Sequence, residues 1–252
     1  MLVDLYRPGD SIWLAFYGGP SYFTTVQSDN ITDKRPSEPK RRYDDACGTA
    51  HGLELIGDRW ALLVLRELML GARRFSELRA DLPGLSANVL TQRLGELEER
   101  GLARRRTLPP PASAQVYEAT PWGLEAEPVI QALGRWAARS PQHDPTLPLS
   151  GVSILLSFRT MIDEKRARKV DAKVGFVFGK DRYVARVRKG RIKVAQGAVE
   201  ECEVVISAAP TTLAAVVYGG APIDLLGISG DRAVAEKFVT LFVLPPKVGE
   251  GS

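Results

Sequence analysis

Apolar positions along the chain repeat first with a helical period, then every second residue, then with a helical period again. Residues 1–45 hold no sustained period: Trp13, Phe16, Tyr17, Tyr22 and Phe23 lie among glycines and prolines, and "DKRPSEPKRRYDD" reads as a polar linker. Regular patterning starts at Ala46. "CGTAHGLELIG" predicts a short helix that Gly57 breaks, with Asp58 placed to cap the next one. Trp60, Leu63, Val64 and Leu68 then form the stripe of a buried helix, which Gly71 closes. "RRFSELRADL" sets Phe75, Leu78 and Leu82 on one face, and Pro83-Gly84 make a turn. "LSANVLTQRLGELEERGL" opens with Ser86 as an N-cap, turns Leu90, Leu94 and Leu97 inward and stops at Gly101.

Beyond Gly101 the period falls to two. "LARRRTL" and "QVYEAT" predict short strands joined by "PPPASA". Thr120-Pro121 begin a further helix, "PWGLEAEPVIQALGRWAARS", with Leu124, Leu133 and Trp136 apolar and a kink at Pro128. "SPQHDPTLPLS" follows with three prolines. Ser153–Ile162 then reads as a helix, "KVGFVFGKDRYVARVRKGRIKVAQG" as a meander turning at 179–181 and at Lys189-Gly190, and "EVVISA" as another strand. "TTLAAVVYGG" and "DRAVAEKFVTLF" read as helices, the second capped by Asp231. The expected class is α+β, divided into an extension at 1–45, a winged helix–turn–helix domain at 46–140, a linker at 141–150, and an α+β domain with an antiparallel sheet at 151–252.

Composition narrows the function classes. The chain has 252 residues, 44% apolar and 25% charged, as in ordinary globular proteins. No apolar run has the ~18 residues of a membrane span, and the first residues lack the basic start of a signal peptide, so a cytoplasmic protein is expected. Two cysteines, Cys47 and Cys202, exclude a disulfide framework. The net charge is +4, yet residues 41–140 hold 14 Lys/Arg against 13 Asp/Glu. DNA binding there depends on local clusters: Arg73-Arg74, Arg104-Arg105-Arg106 and Lys40-Arg41-Arg42.

The predicted helix after Ser86 would lie in a major groove. Ser86, Asn88, Thr91 and Gln92 project away from its leucine stripe; Asn and Gln side chains bond adenine edges, and hydroxyls reach bases or phosphates. The arginine triplet would neutralise phosphates at the base of the wing. A solvated helix beside a hairpin is the plainer alternative. Catalytic chemistry finds little support: the only histidines are His51 and His143, and no nucleophile elbow, phosphate loop or zinc motif is present. Cys47 and His51 share a helix face, but two ligands do not make a metal site. Neither a cofactor nor a metal is expected.

The run from Cys47 through "IGDRW", "GARRFSEL", "PGLSANVLTQRLGELEERGL" and "YEATPWG" to Trp136 resembles the HxlR family of winged-helix transcription regulators. The resemblance implies a homodimer formed by the terminal helices and bound to an inverted-repeat operator. It implies recognition positions at Ser86, Asn88, Thr91, Gln92 and Arg93, and a backbone contact at Arg74. Ala114 stands where family wings often carry a basic residue, which leaves the wing tip without its usual contact. Cys47 matches a position through which family members sense oxidants or electrophiles; the plain alternative is a small apolar side chain.

The second half, through "EVVISAAPTTLAAVVYGG" and "GISGDRAVAEKFVTLF", resembles the sterol-carrier-protein-like fold. That fold often encloses an apolar tunnel, which Phe158, Phe176, Phe178, Val217, Tyr218, Phe238 and Phe242 would line for an apolar small-molecule effector. The alternative is that these residues fill a core. The combined expectation is a DNA-binding regulator that responds to a hydrophobic ligand or to oxidation. The competing one is a lipid carrier whose N-terminal half serves dimerisation only.

Overall fold

The computed structural model describes residues 43–249. The aromatic cluster between Trp13 and Phe23 and the basic Lys40-Arg41-Arg42 lie outside the described residues.

Helix α1 (Gly48–Ile56) ends at Gly57, and α2 (Ala61–Glu67) follows a tight turn. Asp58 does not cap α2 with its side chain. Trp60 precedes the helix in the left-handed region, and Asp58 instead accepts ion pairs from Arg93 and Arg100. The buried face of α2 is Ala61, Val64, Leu65 and Leu68, while Leu63 is exposed. Gly71 lies past a short non-helical turn rather than directly at the helix end. Helix α3 (Phe75–Asp81) buries Leu78, and its Glu77 carboxylate accepts the Arg74 N–H at 2.9 Å.

Helix α4 (Ala87–Glu99) is capped as its sequence implies: the Val89 N–H donates to the Ser86 hydroxyl, and Leu90, Leu94 and Leu97 are buried. At its end Gly101 takes φ +72°, Leu102 N–H donates to Leu97 O, and Gly101 N–H donates to Glu98 O. Only a residue tolerant of positive φ closes a helix this way. Strands β1 (Ala103–Thr107) and β2 (Gln115–Ala119) form the wing, and Arg73 joins it by two backbone bonds to Tyr117. The Thr120 hydroxyl accepts the Gly123 N–H at the start of α5 (Pro121–Leu124). The expected kink separates α5 from α6 (Glu127–Ala137), with Pro128 in the first turn of α6.

The rest of the described chain is one mixed sheet covered by helices. Ser150 caps α7 (Gly151–Met161), and a short α8 (Glu164–Ala167) follows. The meander β3 (Asp171–Phe178), β4 (Asp181–Arg188) and β5 (Arg191–Gln196) is antiparallel, as expected. Strand β6 (Val204–Ser207) is not: it pairs in parallel with β3. The expected all-antiparallel sheet is therefore corrected to the mixed order β5-β4-β3-β6-β7. The cause is the segment 197–203, which crosses the sheet instead of turning back at its end. Gly175 permits the crossing, because a Cβ there would stand 2.9 Å from that of Val199. Helix α9 (Pro210–Gly219), β7 (Gly227–Gly230) and α10 (Arg232–Val239, capped by Asp231) complete the chain.

Alternation places Ala172, Val174, Phe176 and Phe178 of β3 on the sheet face that meets α7, α9 and α10. One apolar core runs without interruption from Val64 and Leu97 to Phe238 and Leu241. The segment 141–150 is bypassed on both sides by direct contacts. Arg159 of α7 donates to both carboxylate oxygens of Glu127 on α6, at 2.7 and 2.6 Å. Ser150 donates to the buried Glu67 of α2 at 2.9 Å. Lys247, in the tail after α10, donates to the carbonyls of Ala138 and Ser140 just past the end of α6.

Candidate nucleic-acid interface

Helices α3 and α4 and the β1–β2 hairpin position the candidate readers. Ser86, Asn88, Thr91 and Gln92 are all exposed along one side of α4, opposite the buried leucines. Their polar atoms are committed to different degrees. Asn88 has no hydrogen-bond partner among the described residues. Gln92 donates to Glu96 at 3.1 Å, and Thr91 donates back to Ala87 O at 3.0 Å. Such contacts on exposed groups exchange readily for water or for a base edge.

Arg93 is differently placed. Its side chain is 13% exposed and clasps Asp58 at 3.0 Å and Glu96 at 2.5 Å. The guanidinium ties α4 to the turn before α2 and does not stand with the exposed row. Arg73 also departs from its expected role in a local positive cluster. It is 3% exposed and bonds Asp81, Asp181 at 2.8 Å and the Tyr183 hydroxyl at 3.3 Å. Burial pushes the Asp81 carboxyl above its ordinary range even though Arg73 pulls it down. The Tyr183 hydroxyl is pushed up to about 12, also by burial.

Arg74 is exposed at the start of α3. On the wing the triplet divides by strand alternation. Arg104 and Arg106 share one face and grip Glu118, each at 2.7 Å. Slight burial pushes the Glu118 carboxyl upward, but the two guanidiniums outweigh it and hold the group below the usual range. Arg105, on the other face, has no charged partner among the described residues. A cleft of about 400 Å³ brings Arg74, Glu77 and Val116 next to Lys180 and Arg182 from the β3–β4 hairpin. Those last two neighbours come from a hundred residues downstream, and no local pattern predicts their position here.

Cys47 is exposed just ahead of α1. Its thiol makes no formal cap bond. Nonetheless the Thr49 N–H and hydroxyl and the Ala50 N–H lower its pKa, against a small opposing effect of burial. His51 pairs with Glu54 at 3.1 Å rather than with Cys47.

The seven residues that would line a tunnel pack together in the core. Phe158 stacks on Phe242 with centroids 4.3 Å apart and meets Phe238 edge-on at 5.5 Å; Phe176 contacts Phe158, Phe178 and Phe238. Tyr218 packs beside Phe158 and shares a 2.8 Å hydrogen bond with Ser157, and Val217 packs against the same core. These rings fill the space between helices and sheet with one another, since aromatic pairs at such separations are mutually attractive. A surface pocket of about 520 Å³ near Ser150 and Pro210 touches the set only at Phe178.

Residues 55–144 match the family described as HxlR-like helix-turn-helix. The chain is 35% identical over 85 residues to the HTH-type transcriptional regulator YvaP of Bacillus subtilis (strain 168), covering 34% of this chain and 79% of that protein. This chain belongs to the HxlR-like helix–turn–helix family. It is also similar to the HTH-type transcriptional regulator YodB of the same organism, 35% identical over 83 residues, covering 33% of this chain and 74% of YodB. The solved reduced form of YodB matches 39% of this chain and 98% of its own, with 31% identity and a TM-score of 0.35. The family match ends at residue 144, inside the linker segment and before the mixed sheet. Among the described residues of this HxlR-like protein, no helix is long and apolar enough to cross a membrane.

Proposed function

We propose that this protein is a sequence-specific DNA-binding transcription regulator of HxlR type, acting as a homodimer on an inverted repeat. The carrying observation is the exposed row Ser86, Asn88, Thr91 and Gln92 on a capped helix whose opposite side is locked into the core. Direct readout needs such a row on a rigid support. Arg74 and Arg105, which have no charged partner among the described residues, are assigned to the phosphates. Arg93 is assigned to holding α4 in place.

A second copy is supported by α6, which exposes Val129, Leu133 and Trp136 along one side, Trp136 at 72%. Trp122 and Leu124 of the preceding α5 are exposed as well. Residues 151–249 carry helices over a sheet, which supports the sterol-carrier-like resemblance as an architecture. The packed aromatic core lends no support to a carried apolar ligand or to the lipid-carrier reading. Cys47, exposed and with a lowered pKa, supports a response to electrophiles or oxidants.

Selection of bound duplexes from a random pool, followed by sequencing, tests the reading. An enriched inverted repeat with half-sites about 34 Å apart, or a multiple of that, is expected. Failure to enrich any sequence would overturn it.

A further inference from the structure

The segment between Lys173 and Lys193 holds eight Lys/Arg and a single acid, Asp181. Strand alternation sorts most of this charge onto one side. The face away from the helices carries Lys173 of β3, Arg182, Arg186 and Arg188 of β4, and Arg191 and Lys193 of β5. Across the β4–β5 ladder, Arg186 stands directly opposite Lys193 and Arg188 opposite Arg191. Like charges directly opposite one another weaken a sheet.

Compensation inside the chain is partial. Asp171 pairs with Arg186 and, at 3.6 Å, with Arg188; Lys173 reaches Glu201 at 3.2 Å. Arg191 and Lys193 have no acidic partner among the described residues. Protection of an exposed edge is an insufficient account. Cations guard edge strands against stray pairing, and β5 is such an edge, but β4 lies inside the sheet and is equally loaded.

The location of the strip points to its partner. At one end, Lys180 and Arg182 share the cleft with Arg74, a candidate phosphate contact, and Lys180 pairs with Glu77 of α3 at 2.5 Å. From there β4 carries Arg182, Arg186 and Arg188 over about 20 Å at ~3.3 Å per residue. A duplex presents about one phosphate per 3.4 Å of axis on each strand, so this length faces about six on one strand.

We propose that the outer face of β4 and β5 is a second DNA contact, binding phosphates that flank the half-site read by α4. The proposal rests on the regulator reading above. It requires no base contact, since arginines and lysines facing phosphates respond to charge and not to sequence.

The full-length protein is titrated with the duplex enriched from the random pool, held in a short form ending at the half-sites and in a form extended by ten base pairs on each side. The wild type is expected to bind the extended form at least tenfold more tightly and with a steeper dependence on salt. A variant carrying Arg186→Gln, Arg188→Gln, Arg191→Gln and Lys193→Gln should lose that gain and keep its affinity for the short form. Its slope of log K against log salt should fall by up to about 3.6, at ~0.9 per phosphate contact. All four positions are exposed, and circular dichroism checks that the fold is kept. Equal wild-type affinity for both duplexes overturns this proposal alone, whereas no binding to the short duplex overturns the regulator reading. Binding of the wild type to phosphatidylserine vesicles, lost in the variant while duplex binding is unchanged, assigns the strip to a membrane surface and overturns the DNA contact.

Discussion

Arg73 occupies the junction between α3, the wing and the sheet, and its charge is balanced only there. Asp81 and Asp181 bond it from a hundred positions apart, and Glu77 adds a third carboxylate at 3.9 Å. Removing one member of a buried ion cluster leaves the others uncompensated, which costs about 3–5 kcal/mol. Arg73→Ala should therefore lower the urea midpoint severely, whereas exposed Arg74→Ala should leave it within ~0.5 kcal/mol. Equal effects of the two would contradict the assignment. Glu67 offers a pH test. Its carboxyl is buried and held above the ordinary 4.5, burial outweighing the pull of Arg66 and Ser150. A proton is thus bound more tightly when folded. The associated stability is complete below pH 4.5, the unfolded value, and fades as pH rises through the elevated folded value. Glu67→Gln keeps the shape and an acceptor for Ser150 but carries no charge. Its stability should change less than that of the wild type between pH 4.5 and 8, with the advantage of the variant growing toward pH 8. A variant that loses ground to the wild type toward pH 8 would show that the ion pair with Arg66 governs this carboxylate.

At the scale of the element, α4 and the wing divide reading from holding. Asn88→Ala or Gln92→Ala should cost ~1–3 kcal/mol on the enriched repeat and little on random duplex. Arg105→Ala should weaken both alike and lower the salt slope by about 0.9. Equal loss on cognate and random DNA for the α4 variants would remove that helix from base readout. This element was legible because its signals are local: Ser86 as cap, leucines at helical spacing, Gly101 at the end. The same holds for the caps Thr120 and Asp231 and for the meander turns. What was not legible depends on partners distant in the chain. "GISG" has no apolar alternation, yet it becomes β7 because backbone bonds to β6 suffice. Parallel pairing of β6 follows from a crossing at Gly175 that leaves no periodic trace. Asp58 resembled a cap because Asp before a helix usually is one, but Arg93 and Arg100 engage it instead. The arginine triplet was legible only as a cluster, while the common hold of Arg104 and Arg106 on Glu118 needed the β1–β2 register. The aromatic residues were identifiable as apolar supply, but whether they enclose a space or fill it is decided by ring positions.

At the scale of the whole molecule, the apolar side of α6 and the continuous core make separate demands. Leu133→Asp leaves the protomer core untouched, since Leu133 is exposed, but places two charges in a two-fold interface. Sedimentation should show dimer association weakened by ~2 kcal/mol or more, and an unchanged dimer would locate the interface elsewhere. Of the four tryptophans, Trp60, Trp122 and Trp136 lie in the winged-helix half, Trp13 lies outside the described residues, and none follows residue 136. In a Trp13→Phe background, tryptophan fluorescence therefore follows the winged-helix half, while far-ultraviolet circular dichroism follows both halves. With one shared core, the two melting curves should coincide; separate transitions would show independent halves. The contacts of Arg73, Glu67, Arg159 and Lys247 also give the protomer the mechanics of a rigid arm. In the proposed dimer each recognition helix stands about 17 Å from the axis, half of the ~34 Å half-site spacing. A tilt of ~5° at the α6 seam would displace each helix by ~1.5 Å, about the rise of one helical residue. Small rearrangements at the seam would thus be delivered undamped to the groove, because the arm has no joint in which to absorb them.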